Sequence, residues 1–141
     1  MKSLFLLLAL LGTPALAATD PLATVNAFHQ ALHQADQNAA LAQLSETVLI
    51  YESGHVERSR AEYASHHLPA DMAYSKEMTR MVLTTEQQLS GKLAVITQET
   101  ETTGRYKDKD VHTMDVETTV LVQDNGNWRI QHVHWSSRKL K

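Results

Sequence analysis

The sequence predicts an α+β domain, with N-terminal helices packed on one face of a curved, mostly antiparallel sheet. Two observations carry this. Helical periodicity sits in the first half, where Leu22, Val25, Phe28 and Leu32 recur at helical spacing. From Met78 onward the chain becomes rich in Thr, Val and Ile, in long runs separated by turn signals. Helices first and a meander second fit helices covering one side of an antiparallel sheet.

Residues 21–34 read as the first helix, with Pro21 suited to its first turn. His29 and His33 lie one turn apart, a metal-binding spacing, but are expected to flank the buried stripe and face water. Asp36 to Asn38 breaks the pattern, and residues 39–44 make a short second helix. Val48-Leu49-Ile50-Tyr51 reads as a strand ended by Ser53-Gly54. Residues 60–68 read as a third helix, with Ser59 as N-cap, Glu62 completing a capping box, and Pro69 as the stop. Four strands follow, over residues 78–89, 93–106, 111–123 and 128–137.

The N-terminus has the composition of a signal peptide. Met1-Lys2-Ser3 is a short basic start, residues 4–11 are an apolar run too short to span a bilayer, and Pro14-Ala15-Leu16-Ala17 supplies small residues for cleavage after Ala17. Residues 1–17 are therefore expected to be removed, leaving a periplasmic or secreted single domain over residues 18–141. No later segment is apolar enough to span a membrane. The net charge of −3 becomes −4 when Lys2 leaves, and no basic patch suits nucleic acid. The chain has no cysteine, which excludes thiolate nucleophiles, thiolate metal sites and iron–sulfur clusters, and leaves stability to packing.

The last strand carries the functional signal. Asn125-Gly126 reads as a two-residue hairpin turn pairing Asp124 with Asn127. That register sets Trp128 opposite Gln123, Ile130 opposite Leu121, His132 opposite Thr119 and His134 opposite Glu117. Opposed residues share a face, so this face runs from apolar to imidazole and carboxylate. The other face collects Met114, Val116, Val120 and Val122 with Val133 and Trp135. Helices cover only one face, so the second is expected to meet another copy in a homodimer, and Trp135→Glu to break it. The turn at residues 107–110 leaves two readings. A two-residue loop puts Thr100 and Thr102 on the histidine face; an odd loop or a bulge puts Glu99 and Glu101 there.

Glu117-Thr118-Thr119-Val120, the Asn-Gly turn and Trp128 through Ser136 resemble the end of the nuclear transport factor 2-like superfamily. The nearest likeness is to its SnoaL-like branch and to the calcium/calmodulin-dependent kinase II association domain. That domain ends in a similar run of Trp, a His-x-His pair, a small residue and Ser. The resemblance covers most of residues 18–141 in layout, and its specific residues are Tyr51, Glu52, Glu117, Trp128, His132, His134 and Ser136. It implies a cone-shaped fold, a bent sheet around the first helix with an open-ended cavity. It also implies that Glu99 and Thr119 match two pocket-lining positions of the association domain. Those positions hold arginine there, so recognition of an anion in the same way does not carry over. The match favours the odd loop at residues 107–110.

The candidate site gathers Glu52, His55, Tyr63, His67, Glu99, Glu117, Trp128, His132 and His134, with Glu101 and Asp71 nearby. Carboxylate and imidazole together can exchange protons near neutrality, because burial raises the one and the other titrates there. They can also hold zinc or copper. No Tyr and protonated Asp pair of the ketosteroid isomerase kind stands out from the sequence. Three functions are open: a protein binding a small organic ligand, a cofactor-independent SnoaL-like enzyme with a Glu–His acid–base pair, or a metal-binding protein using His55, His67, Asp71 or His134. No cofactor is called for. His134 and Glu117 are expected to meet on the concave face, beside a mainly apolar ligand.

Overall fold

Asp20 opens the first helix by accepting a hydrogen bond from the Leu22 amide, and Ala35 closes it in the left-handed conformation. The computed structural model describes residues 20–141, so the expected signal peptide and its cleavage site lie outside the described residues. The helices are α1 (Pro21–Gln34), α2 (Gln37–Gln43), α3 (Arg60–Ser65) and α4 (Leu68–Ser75). The strands are β1 (Leu44–Glu52), β2 (His55–Glu57), β3 (Met78–Ser90), β4 (Leu93–Tyr106), β5 (Lys109–Asp124) and β6 (Asn127–Lys139). They form one sheet in the order β2-β1-β6-β5-β4-β3. Among the described residues only the β1–β6 pair is parallel. The α+β layout is as the sequence predicts.

The core lies between α1 and the inner face of the sheet. Val25, Phe28 and Leu32 of α1 pack with Leu44, Val48 and Ile50 of β1, Ala94 and Ile96 of β4, Leu121 of β5, and Trp128, Ile130 and Val133 of β6. Tyr63 of α3 and Leu68 of α4 are also buried in it.

Two local readings are corrected. The third helix is not one piece over residues 60–68. It ends at Ser65, and Pro69 lies in the first turn of a separate helix, α4. A proline needs no hydrogen-bond partner for its nitrogen there, so it starts a helix as readily as it stops one. The sequence reading also missed β2, a three-residue strand paired with the end of β1 around a turn with Ser53 and Gly54 at positive φ.

The turn at residues 107–110 is the two-residue kind. Tyr106 pairs with Lys109, and both Lys107 and Asp108 have positive φ, as a tight turn between twisted strands requires. Thr100 and Thr102 therefore face inward with Gln98, and all three are buried. The odd loop favoured by the resemblance is wrong, and Glu99 and Glu101 lie on the outer face.

The larger correction is in β6. The pairing starts as the Asn-Gly turn dictates, with Trp128 opposite Gln123 and Ile130 opposite Leu121. A bulge then intervenes at Gln131, and Val120 pairs with His132. A bulge places two residues against one and reverses the alternation beyond it. Thr118, not Glu117, faces His134, and Glu117 faces Trp135. His132 and His134 thus sit on the outer face. Val133 is fully buried and Trp135 packs against the core, so neither belongs to the outer apolar strip. That strip holds Val116, Val120 and Val122 of β5 beside Leu93 and Val95 of β4.

Candidate functional site

A cavity of about 780 Å³ opens between α1, α4 and the inner face of β3 to β6. Its wall is built from three directions. His29 and His33 come from one face of α1, Asp71 and Tyr74 from α4, and Arg80, Thr100, Asp115, Glu117 and Trp135 from successive strands. Glu52 and Ser53 close the end of β1.

Glu117 is the most deeply set of these charges. Its Oε1 accepts from the Thr119 hydroxyl at 2.9 Å, and its Oε2 accepts from Trp135 Nε1 at 2.5 Å. His29 Nε2 lies 2.8 Å from the same Oε2, an ion-pair contact off the line of a good hydrogen bond. Burial alone would push this carboxyl up. His29, the Trp135 hydrogen bond and the Arg80 guanidinium outweigh it and hold the group at about 2. Glu117 is thus a permanent buried anion whose acceptor positions are largely taken. Its work is to fix Trp135 and His29 in the wall.

Trp135 in turn stacks on Phe28, with ring centroids 6.3 Å apart and planes 4° from parallel. Arg80 points inward from β3, donates to Gln98 Oε1 at 2.9 Å, and loses some basicity to burial. His33 donates from Nδ1 to the Ser75 carbonyl at 2.9 Å, tying α1 to the end of α4 at the cavity rim.

The opposite wall holds carboxyls of the other character. Tyr63 donates its hydroxyl to Asp71 Oδ2 at 2.7 Å. Burial pushes Asp71 up to about 6, Glu52 and Glu57 add to that, and the Tyr63 hydrogen bond and His67 oppose it. Glu52 is also raised, by burial first, against the pull of His67 and His55. The Tyr63 hydroxyl is pushed far up by burial and by Asp71, so it stays a donor. Behind this wall His67 pairs through Nδ1 with Glu57 Oε1 and is raised chiefly by that bond, while His55 lies 5.4 Å away, ring to ring. One cavity therefore exposes a carboxyl that titrates near neutrality and, across it, an anion that never protonates at physiological pH. Environments that push two carboxyls apart in this way separate a proton-exchanging role from an electrostatic one.

Residues 22–138 match the family model described as a SnoaL-like domain. The chain belongs to the SnoaL-like domain family. Among solved structures, it is similar to a candidate ketosteroid isomerase from Shewanella frigidimarina, at 42% identity over 81% of this chain and 92% of that one, with a TM-score of 0.79. It also shares the fold of the calcium/calmodulin-dependent protein kinase II hub of S. rosetta, at 20% identity, 90% and 98% coverage and a TM-score of 0.68. A protein of unknown function from Pseudomonas putida with a nuclear transport factor 2-like fold aligns at 15% identity, 82% coverage of each chain and a TM-score of 0.68. No curated protein matches the sequence.

In this SnoaL-like domain the sequence-derived site divides. Glu52 and Glu117 line the cavity, and Tyr63 supports its wall through Asp71. His55 and His67 sit behind that wall, with Glu52 and Asp71, around a much smaller gap. Trp128 is a buried core residue and does not line the cavity. Glu99 is exposed on the outer face. His132 and His134 are on that face too, where both rings meet Tyr51 edge-on and His132 donates to the Leu49 carbonyl at 2.9 Å. His29, Arg80, Asp115 and Trp135 were missed. For His29 the signal was present: it follows Phe28 directly, at the margin of the buried stripe. For Arg80 the signal was parity, since it lies two residues after the buried Met78.

Proposed function

We propose that this SnoaL-like domain binds a small polar organic molecule in the cone cavity and meets it with Asp71. The observation that carries the reading is the Tyr63–Asp71 pair, 2.7 Å apart, in the wall of a cavity of about 780 Å³. That volume falls within the range of ordinary ligand pockets. Glu52, Asp71, Asp115 and Glu117 oppose Arg80 and two histidines around the wall, so it suits hydrogen-bond donors and amines better than the mainly apolar ligand expected from the sequence. The test is a thermal-shift screen of polar metabolite-sized compounds against the wild type and Asp71→Asn. Hits that stabilise both proteins equally would overturn the role of Asp71.

A second reading is isomerase-type catalysis, and the likeness to the Shewanella frigidimarina protein favours it. Tyr63 holds one oxygen of Asp71, so the other can donate a proton to a ligand carbonyl or take one from the adjacent carbon. An assay with a β,γ-unsaturated ketosteroid tests this. Turnover by the wild type, lost in Asp71→Asn, supports it; turnover unchanged in the variant refutes it.

Two further parts of the reading concern setting. Residues 1–17 support export to the periplasm or beyond, with the mature chain starting at Ala18. Val116 and Leu93, both nearly half exposed on the outer face, support a homodimer through the sheet. Likeness to hub and association-domain folds is compatible with assembly.

A further inference from the structure

Outside the cone cavity, Glu57 ends β2 with only 4% of its surface exposed. Its Oε1 pairs with His67. Its Oε2 is buried and accepts no hydrogen bond, although His66 Nδ1 lies 3.4 Å away. A buried carboxylate oxygen without a donor is costly, and structures rarely leave one so. Glu62 stands beside it, and one donor atom from each of Glu57, Glu62 and His66 lies within 4.8 Å of the others.

We propose that Glu57, Glu62 and His66 form a zinc site. The spacing fits. Two ligands bound at about 2.1 Å in a tetrahedral shell lie about 3.4 Å apart, and Glu57 Oε2 and His66 Nδ1 are 3.4 Å apart. An ion between them gives the orphaned oxygen its partner. Local structure holds the three groups in place. Glu62 lies on α3 and His66 caps its end four residues later, its amide bonded to the Glu62 carbonyl at 3.1 Å. The Arg58 amide donates to Glu62 Oε2 at 2.6 Å and the Ser59 hydroxyl caps the Glu62 amide at 3.0 Å, which fixes the carboxylate. His67 grips the second oxygen of Glu57, as outer partners of metal ligands do. One imidazole with two carboxylates suits Zn²⁺ better than Mg²⁺ or Ca²⁺, which take oxygen alone. The side chain of His66 is 61% exposed, which leaves room for water in the fourth position. None of the three residues lines the cone cavity. The set differs from the His55, His67, Asp71 and His134 considered from sequence.

The experiment is calorimetric titration of chelator-stripped protein with zinc chloride. One ion per chain is expected. His66→Ala and Glu62→Gln, both at the surface end of the cluster, should each weaken binding at least tenfold with unchanged circular dichroism. His134→Ala and Asp71→Asn should bind as the wild type does. Cobalt supplies a second readout: the visible bands of a four-coordinate ion should appear in the wild type and vanish in His66→Ala. No saturable binding by the wild type would overturn the site. So would affinity unchanged in both His66→Ala and Glu62→Gln.

Discussion

Trp135 Nε1 donates to Glu117 Oε2 at 2.5 Å, across a strand pair whose register is set by one bulged residue. This bond ties the depressed carboxyl of Glu117 to the stack of Trp135 on Phe28, and so ties cavity charge to core packing. A carboxyl held below its ordinary value contributes stability that is present above about pH 4.5 and is lost as pH falls toward about 2. The contribution is on the order of 3 kcal/mol. Because Asp71 has the opposite slope, the loss is read by urea unfolding as the difference between the wild type and Glu117→Gln at pH 5 and at pH 3. Glu117→Gln should be less stable than the wild type at pH 7, and the gap should narrow as pH falls through this window.

Asp71 has the opposite sign. Its carboxyl is raised from 3.8 to about 6, so the unfolded chain ionises more readily than the folded one. Stability then falls as pH rises from about 4 to about 6, and the cost is complete above that. Asp71→Asn keeps an acceptor for Tyr63 and removes the charge. It should raise stability at pH 8 by on the order of 2 kcal/mol, measured by urea unfolding, while ligand binding is lost. Gained stability with lost function is the expected trade at a site that keeps a charged carboxyl buried.

Trp135→Glu no longer tests the dimer. Its ring stacks on Phe28 and its indole holds Glu117, so a carboxylate there would face Glu117 inside the core. That variant should fail to fold. The interface test moves to Val116, on the outer face opposite Ser136. Val116→Glu should keep the circular dichroism of the wild type and sediment as a monomer, and the wild type should sediment as a dimer.

Export has its own check. N-terminal sequencing of protein recovered from the periplasm or medium should begin at Ala18; material starting at Met1 would refute the signal peptide.

Much of the fold was legible because its signals are local. The apolar spacing from Leu22 to Leu32 marked α1, and the Asn125-Gly126 turn fixed the first pairs of the last hairpin. Pro69 misled because its chemistry serves a helix start and a helix stop alike. At residues 107–110 the bottom-up reading kept the correct two-residue loop open, and the resemblance drew the choice away from it. The site was legible only in part. Glu117 was found, but its partner was not, since Trp135 replaced His134 through a bulge that no glycine or proline announces. Burial itself was the missed clue. The bulge puts Val133 and Trp135 inward with Trp128 and Ile130, an apolar set, whereas regular alternation would have buried His132 and His134.

That clue makes the bulge testable. Deleting Gln131 would remove the bulge and leave the pairs on both sides of it as they are, Leu121 with Ile130, Val120 with His132 and Glu117 with Trp135. Val133 and Trp135 would stay on the inner face, beside Phe28, and His132 and His134 on the outer one. Gln131 retained without a bulge would instead be a one-residue slip, turning Val133 and Trp135 outward and two imidazoles inward. The loss of one buried valine and one stacked tryptophan is worth several kcal/mol, a large share of the stability of a small domain. The deletion variant should therefore keep the native facing and melt cooperatively, with His134 open to solvent by NMR. Gln131→Ala keeps the residue count and removes only the side-chain bonds to Thr47. It should lower stability by about 1 kcal/mol or less and keep the wild-type spectrum. A deletion variant with His134 protected from solvent would show that what the bulge buries does not set the register beyond Ile130.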